Sequence, residues 1–561
     1  MSFKRHFTIF RLQTATPDMP YPYGHKNTKV VPAALRHPKS NNARARLLPT
    51  PDSRHLAHLP RSPHGHENNH LIEKELTVVS SMNEALSAAE PTVLQSSRCE
   101  IQLLQGIELN KEGRAGAHRF MFERVEQKCM TLRNRLYSIS DGIIQCNNLT
   151  AKALQEDGSE LKMSPVNMPA QDTAWYCGRI CCEGDSGAIN ASSVLLEGDN
   201  GKRVHIDLAH AVDFAVFPGQ IVVVRGINTS GNTIIVREIW SDASLPMFKT
   251  PADKMATWNE SEAFLGGLPL SVMMAAGPFT LSTDLTYRPL QDLLDHVAAQ
   301  KPDVLILTGP FVDCNHRQLN PEFADCVDGF SNGNPPDSLQ VVRHVMRVLI
   351  VQRLSVGSPS TTCILIPSLK DLHSRNTFPQ PPFDQGEVIQ ATMGEMDVSR
   401  SVNVQYMGNP CVVRINEILV GICTADTIGD LAGNEVSHTP DDSITRLASH
   451  VLQQRSFYPL FPPAEGCQLS MANVKYLGLE QTPDVLLLPS LLSPFAKRIG
   501  DVLCVNPGQL TEGSGPGTFA RLTVHPSRKV TAGLTLSPSA PEVAHRVCER
   551  TRVDIVRINY I

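Results

Sequence analysis

The chain has 561 residues, 41% hydrophobic and 19% charged. This is an ordinary globular composition that excludes wholesale disorder and, at about 150 residues per domain, calls for several domains. Its 51 Lys and Arg stand against 56 Asp and Glu, a net charge of −5 that excludes a generally basic nucleic-acid coat. No apolar run approaches eighteen residues, so no membrane partner is expected, and the opening MSFKRHFTIFRLQ offers no long apolar stretch of a secretory signal.

The first seventy residues carry eleven Lys or Arg against three acids, with nine prolines and eight histidines, and no sustained apolar period. That pattern predicts a disordered basic arm, and residues 1–115 are read as this arm and a variable region. Next, Phe122, Val125, Cys129, Leu132, Leu136 and Ile139 recur at spacings of three and four. They predict one amphipathic helix over roughly 117–140, whose apolar face needs a partner surface. Residues 150–170, polar and containing Pro165 and Pro169, read as a linker, so 116–170 is taken as helix plus linker.

From about Trp175 to Trp240 the period becomes that of strands. Ser193–Glu197, Arg203–Asp207, Ile221–Arg225 and Thr233–Ile239 are separated by turns such as Gly198-Asp-Asn-Gly201. Five short strands in about seventy residues predict a small closed barrel of the OB type, placed over 171–262. Such barrels bind single strands through aromatic platforms. This one shows few outward aromatics, so it is read as a protein-docking module.

From 263 to 561 apolar runs alternate with helical or loop segments. The runs are Val272–Ala276, Val304–Leu307, Cys363–Ile366, Ile418–Ile422, Val485–Leu488 and Val502–Val505. They predict buried central strands of a layered α/β sandwich, with any chemistry at their C-terminal ends. Those ends read Gly277-Pro278-Phe279, Gly309-Pro310-Phe311-Val312-Asp313, Pro367-Ser-Leu-Lys-Asp371-Leu-His373, Pro489-Ser490 and Asn506-Pro507-Gly508.

This order resembles a calcineurin-like metallophosphoesterase. The resemblance implies two metals held by DxH, GDxxD, GNH, a lone His and GHxH at these ends. Here the positions are Pro278, Phe279, Pro310, Asp313, Asp371, His373, Ser490 and Asn506. Proline and phenylalanine side chains carry no donor atom, and Asp313, Asp371 and His373 are too few for a dinuclear centre. The expected fold is therefore an OB barrel followed by an αββα phosphoesterase-type sandwich without its metal site, with no cofactor. The alternative is an active metallophosphoesterase using those three residues.

A ligand-stripped sandwich behind an OB barrel resembles the B subunits of the replicative DNA polymerases, above all the B-subunit family of the DNA polymerase α–primase complex. The strings that carry this include Phe217-Pro-Gly-Gln220, Gly277-Pro-Phe-Thr280, Phe378-Pro-Gln-Pro-Pro-Phe383, Gln454–Pro463, Pro483–Ser490 and Gly517-Thr-Phe-Ala-Arg521. His118–Phe122 fits the family's helical lead-in, and the resemblance covers roughly 115–561. It implies a nuclear, non-enzymatic scaffold. Its partners would be the C-terminal domain of the polymerase α catalytic subunit and the primase subunits, with DNA met indirectly through the complex. The aromatics Phe378, Phe383, Phe457, Tyr458 and Phe461 are the candidate partner-docking anchors. The small N-terminal helical domain usual in the family is not expected in residues 1–70.

The fourteen cysteines include no CxxC pair, and Cys177, Cys181 and Cys182 lack a matching ligand pair, so free thiols are expected. Gly184-Asp185-Ser186-Gly187 lacks the context of a protease nucleophile loop and reads as a turn. Gly513–Gly517 is followed by no GK[ST] and reads as a loop between strands.

Overall fold

The computed structural model describes residues 76–90, 98–108, 120–183, 189–319, 341–342, 344–383, 403–527 and 542–558. The expected basic arm over the first seventy residues and the Gly184–Gly187 turn lie outside the described residues.

Two strands come first, β1 (Leu76–Met82) and β2 (Ile101–Gln105), then two helices, α1 (Val125–Cys146) and α2 (Leu149–Glu156). Six strands follow: β3 (Ala170–Cys182), β4 (Val194–Glu197), β5 (Arg203–Asp207), β6 (Phe214–Val216), β7 (Ile221–Asn228) and β8 (Thr233–Trp240). Five of them close a barrel in the order β3-β4-β5-β8-β7. Inside it the alternate residues Val194, Leu196, Val204, Ile206, Val222, Val224, Ile234 and Val236 pack together, as the period of two in a strand requires.

The linker β9 (Lys249–Pro251) and α3 (Ala252–Glu260) lead to β10 (Leu270–Ala276), α4 (Arg288–Gln300), β11 (Val304–Thr308) and β12 (Thr362–Ile366). Then come β13 (Val404–Tyr406), β14 (Cys411–Ile415), β15 (Ile418–Ile422), α5 (Thr427–Asn434), β16 (Val436–His438) and α6 (Ser443–Gln453). Last are β17 (Val485–Leu487), β18 (Phe495–Ile499), β19 (Val502–Asn506), β20 (Thr518–Val524), β21 (Glu542–Ala544) and β22 (Thr551–Ile558).

One sheet runs β1-β22-β20-β10-β11-β12-β13 and the other β2-β14-β15-β17-β19-β18. Their facing sides share one core, in which Val272, Met274, Val304 and Ile306 meet Val413, Val420, Leu487 and Val505. The outer side of the first sheet is covered by α4 and the helical stretch 344–357. On α4, Leu290, Leu293, Leu294 and Val297 form the apolar stripe. The outer side of the second is covered by α5 and α6, through Ile428, Leu431, Leu447 and Val451. The result is four layers, helix on sheet on sheet on helix.

Four elements differ from expectation. Residues 76–82 and 101–105, read as part of the arm and variable region, extend both sheets: Leu76 pairs with Ile558, and Ile101 with Ile415. Residues 149–156, read as linker, form α2. The amphipathic helix starts later than expected and buries only its second half: Leu136, Ile139 and Ile143 meet the barrel, while Val125 and Cys129 stay exposed. The Gly513 region is a tight hairpin in which Thr511–Glu512 pairs with Gly515–Pro516, and Gly513 takes the turn at φ +64°.

Candidate functional site

The C-terminal ends of β10, β11, β12, β15 and β17 open on one cleft of about 430 Å3. Gly277, Pro310, Ser368, Lys370, Asp426 and Ser490 line it. The parallel registers β10–β11–β12 and β15–β17 bring these ends together, since parallel neighbours finish on the same side.

Few side chains at the expected positions point chemistry into this space. Asp371 is buried, and its carboxylate accepts backbone N–H groups of Phe311 (2.6 Å), Val312 (3.2 Å) and Ser368 (2.8 Å). Burial pushes its pKa up to about 7, against the opposing pull of those donors. A Cβ at Gly309 would run into this carboxylate, so only glycine lets the two loops meet here. Asp313 pairs with Asp371 by backbone and turns its own carboxylate onto the Asn315 N–H at 2.9 Å. His373 is half-buried, and its Nε2 finds no hydrogen-bond partner among the described residues.

Asn506 is fully buried. Its Oδ1 accepts from Ser490 N and Gly508 N, each at 3.0 Å, and its Nδ2 donates to Leu492 O at 3.0 Å. Ser490 Oγ accepts the Leu492 N–H at 3.2 Å. Phe279 is in the core with its ring stacked 5.1 Å from Phe311, and Pro278 is half-buried beside it. Of the eight positions, Pro310 and Ser490 face the cleft. Among the described residues no group of three or more His, Cys, Asp or Glu could hold a metal ion.

Beside Lys370 and Glu465, the cleft carries two carboxylates just past the end of β15, Asp426 and Asp430, which sequence reading passed over. Asp426 caps α5, accepting Gly429 N at 2.9 Å, and its other oxygen accepts Leu491 N at 3.0 Å. One turn on, Asp430 accepts the Tyr458 hydroxyl at 2.7 Å. Burial raises the Asp430 pKa, and neighbouring Asp426 adds to the rise. The readable signal is an Asp pair at i, i+4 directly after the apolar run Ile418–Ile422.

The aromatic anchors are corrected by packing. Phe378 and Phe457 are fully buried, and Phe383 and Tyr458 nearly so. Phe378 meets Tyr458 edge-on at 5.8 Å, and Phe383 meets Phe311 at 5.6 Å. These four rings fill the chain's own loops, because burying an aromatic outweighs leaving it in water. Phe461 alone stays half-buried, with the Arg179 guanidinium 5.3 Å from its ring centre.

Two of the diagnostic strings turn out to be halves of one joint between barrel and sandwich. Phe217 leaves the barrel fully buried and enters the core beneath α5 and α6, its ring 4.8 Å from that of His450. Gln454, also fully buried, accepts Ile221 N at 2.8 Å and donates to Ile221 O (3.0 Å) and Ser241 O (2.9 Å). Phe461 N donates to Pro218 O at 3.0 Å. Gly219, at φ +92°, lies where any Cβ would strike the Phe461 backbone.

Two family models match the chain. That of the B subunit of DNA polymerases alpha and epsilon covers residues 272–497, and that of the OB domain of the DNA polymerase alpha B subunit covers 145–242. The DNA polymerase alpha B subunit of Schizosaccharomyces pombe is 31% identical over 503 residues, spanning 87% of this chain and 78% of that protein. Those of Rattus norvegicus and Mus musculus are 33% and 34% identical over 67% and 69% of this chain. The chain spans 59% and 61% of the length of these two relatives. A solved archaeal phosphodiesterase aligns with 45% of this chain and 92% of its own at 10% identity, with a TM-score of 0.22 too slight to bear on the fold.

Proposed function

The chain belongs to the B-subunit family of DNA polymerase alpha, and from that premise we propose that it is a non-catalytic scaffold of the polymerase α–primase complex. It grips the C-terminal domain of the catalytic subunit, helps hold primase, and supports primer synthesis as replication begins. DNA is met through the complex, and the compartment is the nucleus. In this reading 171–262 is the barrel module and 263–561, with β1 and β2 added at its sheet edges, the sandwich, with α1 and α2 bracing the barrel.

One observation carries the reading. The carboxylate and amide that stand where a phosphoesterase would ligate metals, Asp371 and Asn506, spend their polar atoms on backbone groups of neighbouring loops. A carboxylate with its lone pairs committed to three N–H donors is a poor ligand, and Pro278, Phe279 and Pro310 offer none. The donor set does not fit a dinuclear centre, so no metal-assisted step is derived. What remains is a shaped, acidic recess on a rigid frame.

The test is co-purification of the full chain with the catalytic and primase subunits produced alongside it. A stoichiometric complex is expected, with no hydrolysis of a generic phosphodiester by the chain. A lone chain that binds none of these subunits and cleaves the diester would overturn the proposal in favour of the phosphoesterase alternative.

A further inference from the structure

A second recess, about 530 Å3, lies at the joint itself. It is bounded by α1, by the β4–β5 turn of the barrel and by the 456–474 stretch of the sandwich. Its floor is apolar, with Leu132, Leu136, Phe461 and Val474. Its rim is cationic: Arg133, Arg179 and Arg203 line it against Glu197 and Asp199, while Arg135, half-buried, donates to the Gln454 carbonyl at 2.9 Å. Glu197 is already shared by Arg179 (2.5 Å) and Arg203 (2.8 Å), and Asp199 accepts the Tyr137 hydroxyl at 3.1 Å. The excess is therefore positive, on a chain whose net charge is −5.

The floor continues beyond the recess. Val125 and Cys129 fall on the same helical stripe as Leu132 and Leu136, and Val125 is 75% exposed. From Val125 to Leu136 the stripe runs roughly 17 Å at about 1.5 Å per residue, three turns of helix. Phe122, just before the helix, is 78% exposed.

We infer that this groove and the open stripe of α1 form a docking site for an acidic amphipathic helix of a partner protein. The partner's apolar face would lie on Val125, Cys129 and Leu132, above the buried Leu136, and its carboxylates would meet Arg133 and Arg203. The inference deepens the scaffold reading, which supplies a partner. A polypeptide fits better than a single-stranded nucleic acid, because the barrel's aromatic pair is withdrawn. Trp175 and Trp240 stack on each other at 5.2 Å, packed with Ile143, Leu149 and Ala153 of α1 and α2. The Trp175 indole N–H is spent on Asp157, and Arg225 on Glu156 and Asp157.

Cys129 provides the readout, since it lines the groove and is exposed, while Cys146 on the same helix is exposed but outside it. The probe is a labelled sixteen-residue helical peptide, leucine on one face and glutamate on the other, titrated into the full chain beside a twin with lysine for glutamate. The acidic peptide should bind at least tenfold tighter than its twin and slow maleimide labelling of Cys129 about tenfold, leaving Cys146 unchanged. Arg133→Glu and Val125→Asp change side chains at the open rim and stripe, so the fold should survive, and each should weaken the acidic peptide about tenfold. Equal binding of the two peptides, or labelling of Cys129 unaffected by either, would overturn the inference. Failure of the chain to co-purify with polymerase subunits would instead count against the scaffold reading, and the titration judges the groove independently.

Discussion

At the strand-end cleft and at the barrel–sandwich joint, buried polar side chains do the same work with different results. In the cleft, Asp371 and Asn506 tie loops to one another and leave open space above them. At the joint, Gln454 and Phe217 tie two modules together, and the open space lies to one side, in the recess beside α1. The cleft keeps a shape while its polar groups turn inward. The joint fastens barrel to sandwich, so in the scaffold reading a partner meets a single surface rather than two linked beads. That is what a scaffold requires, because a flexible platform loses affinity to ordering entropy.

The comparison can be broken most severely at Phe217. Phe217→Ala empties a fully buried site shared by both modules and should cost about 4 kcal/mol. Denaturant unfolding in a Trp258→Phe background, which leaves Trp175 and Trp240 of the barrel as the fluorophores, should then separate by fluorescence and far-ultraviolet dichroism into two transitions. A single unshifted transition would show that the joint is not a weld. Gln454→Ala comes next. It strands the Ile221 N–H and two carbonyls, at about 3 kcal/mol, with the same separation of probes.

At the cleft, Asp371→Asn replaces one acceptor by a donor that faces the Ser368 N–H, and should cost about 2 kcal/mol. It should also alter the pH profile. The folded pKa of about 7 lies above the unfolded value of about 3.9, so the fold binds the proton more tightly. The contribution is whole below about pH 4 and is lost as pH rises through 7. The variant should flatten the stability profile across that window, and an unchanged slope would contradict the assignment. The smallest effect is expected at Asp430→Asn, where a burial-raised carboxyl beside Asp426 is neutralised. Stability at neutral pH should rise by less than about 1 kcal/mol, and a clear loss would show that Asp430 braces the fold as Asp371 does.

Much of this contrast is legible in the amino-acid sequence. The apolar runs Val304–Leu307 and Cys363–Ile366 mark central strands by their unbroken hydrophobicity, and their ends offer few ligands. The barrel is legible from its turns. The edge strands are not: β1 is mostly exposed, and its partner Ile558 lies more than four hundred residues away, so no local period betrays it. The aromatics mislead for a related reason. Phe378 and Phe457 look like surface anchors in their proline-rich strings, but burial is decided by what folds over them, and Tyr458 and the α5–α6 layer do so here. Phe217 and Gln454 stand in the diagnostic strings without a readable role, because a joint spanning more than two hundred residues leaves no spacing to read.

The most direct test of the claim that the strand ends brace rather than catalyse is a metal titration of the purified full chain. Calorimetry with Mn2+, followed by elemental analysis after gel filtration, should find well below one equivalent retained per chain and no hydrolysis of a generic phosphodiester. Two equivalents retained at the strand ends, lost together in Asp371→Asn, would mean that these side chains still hold a working centre.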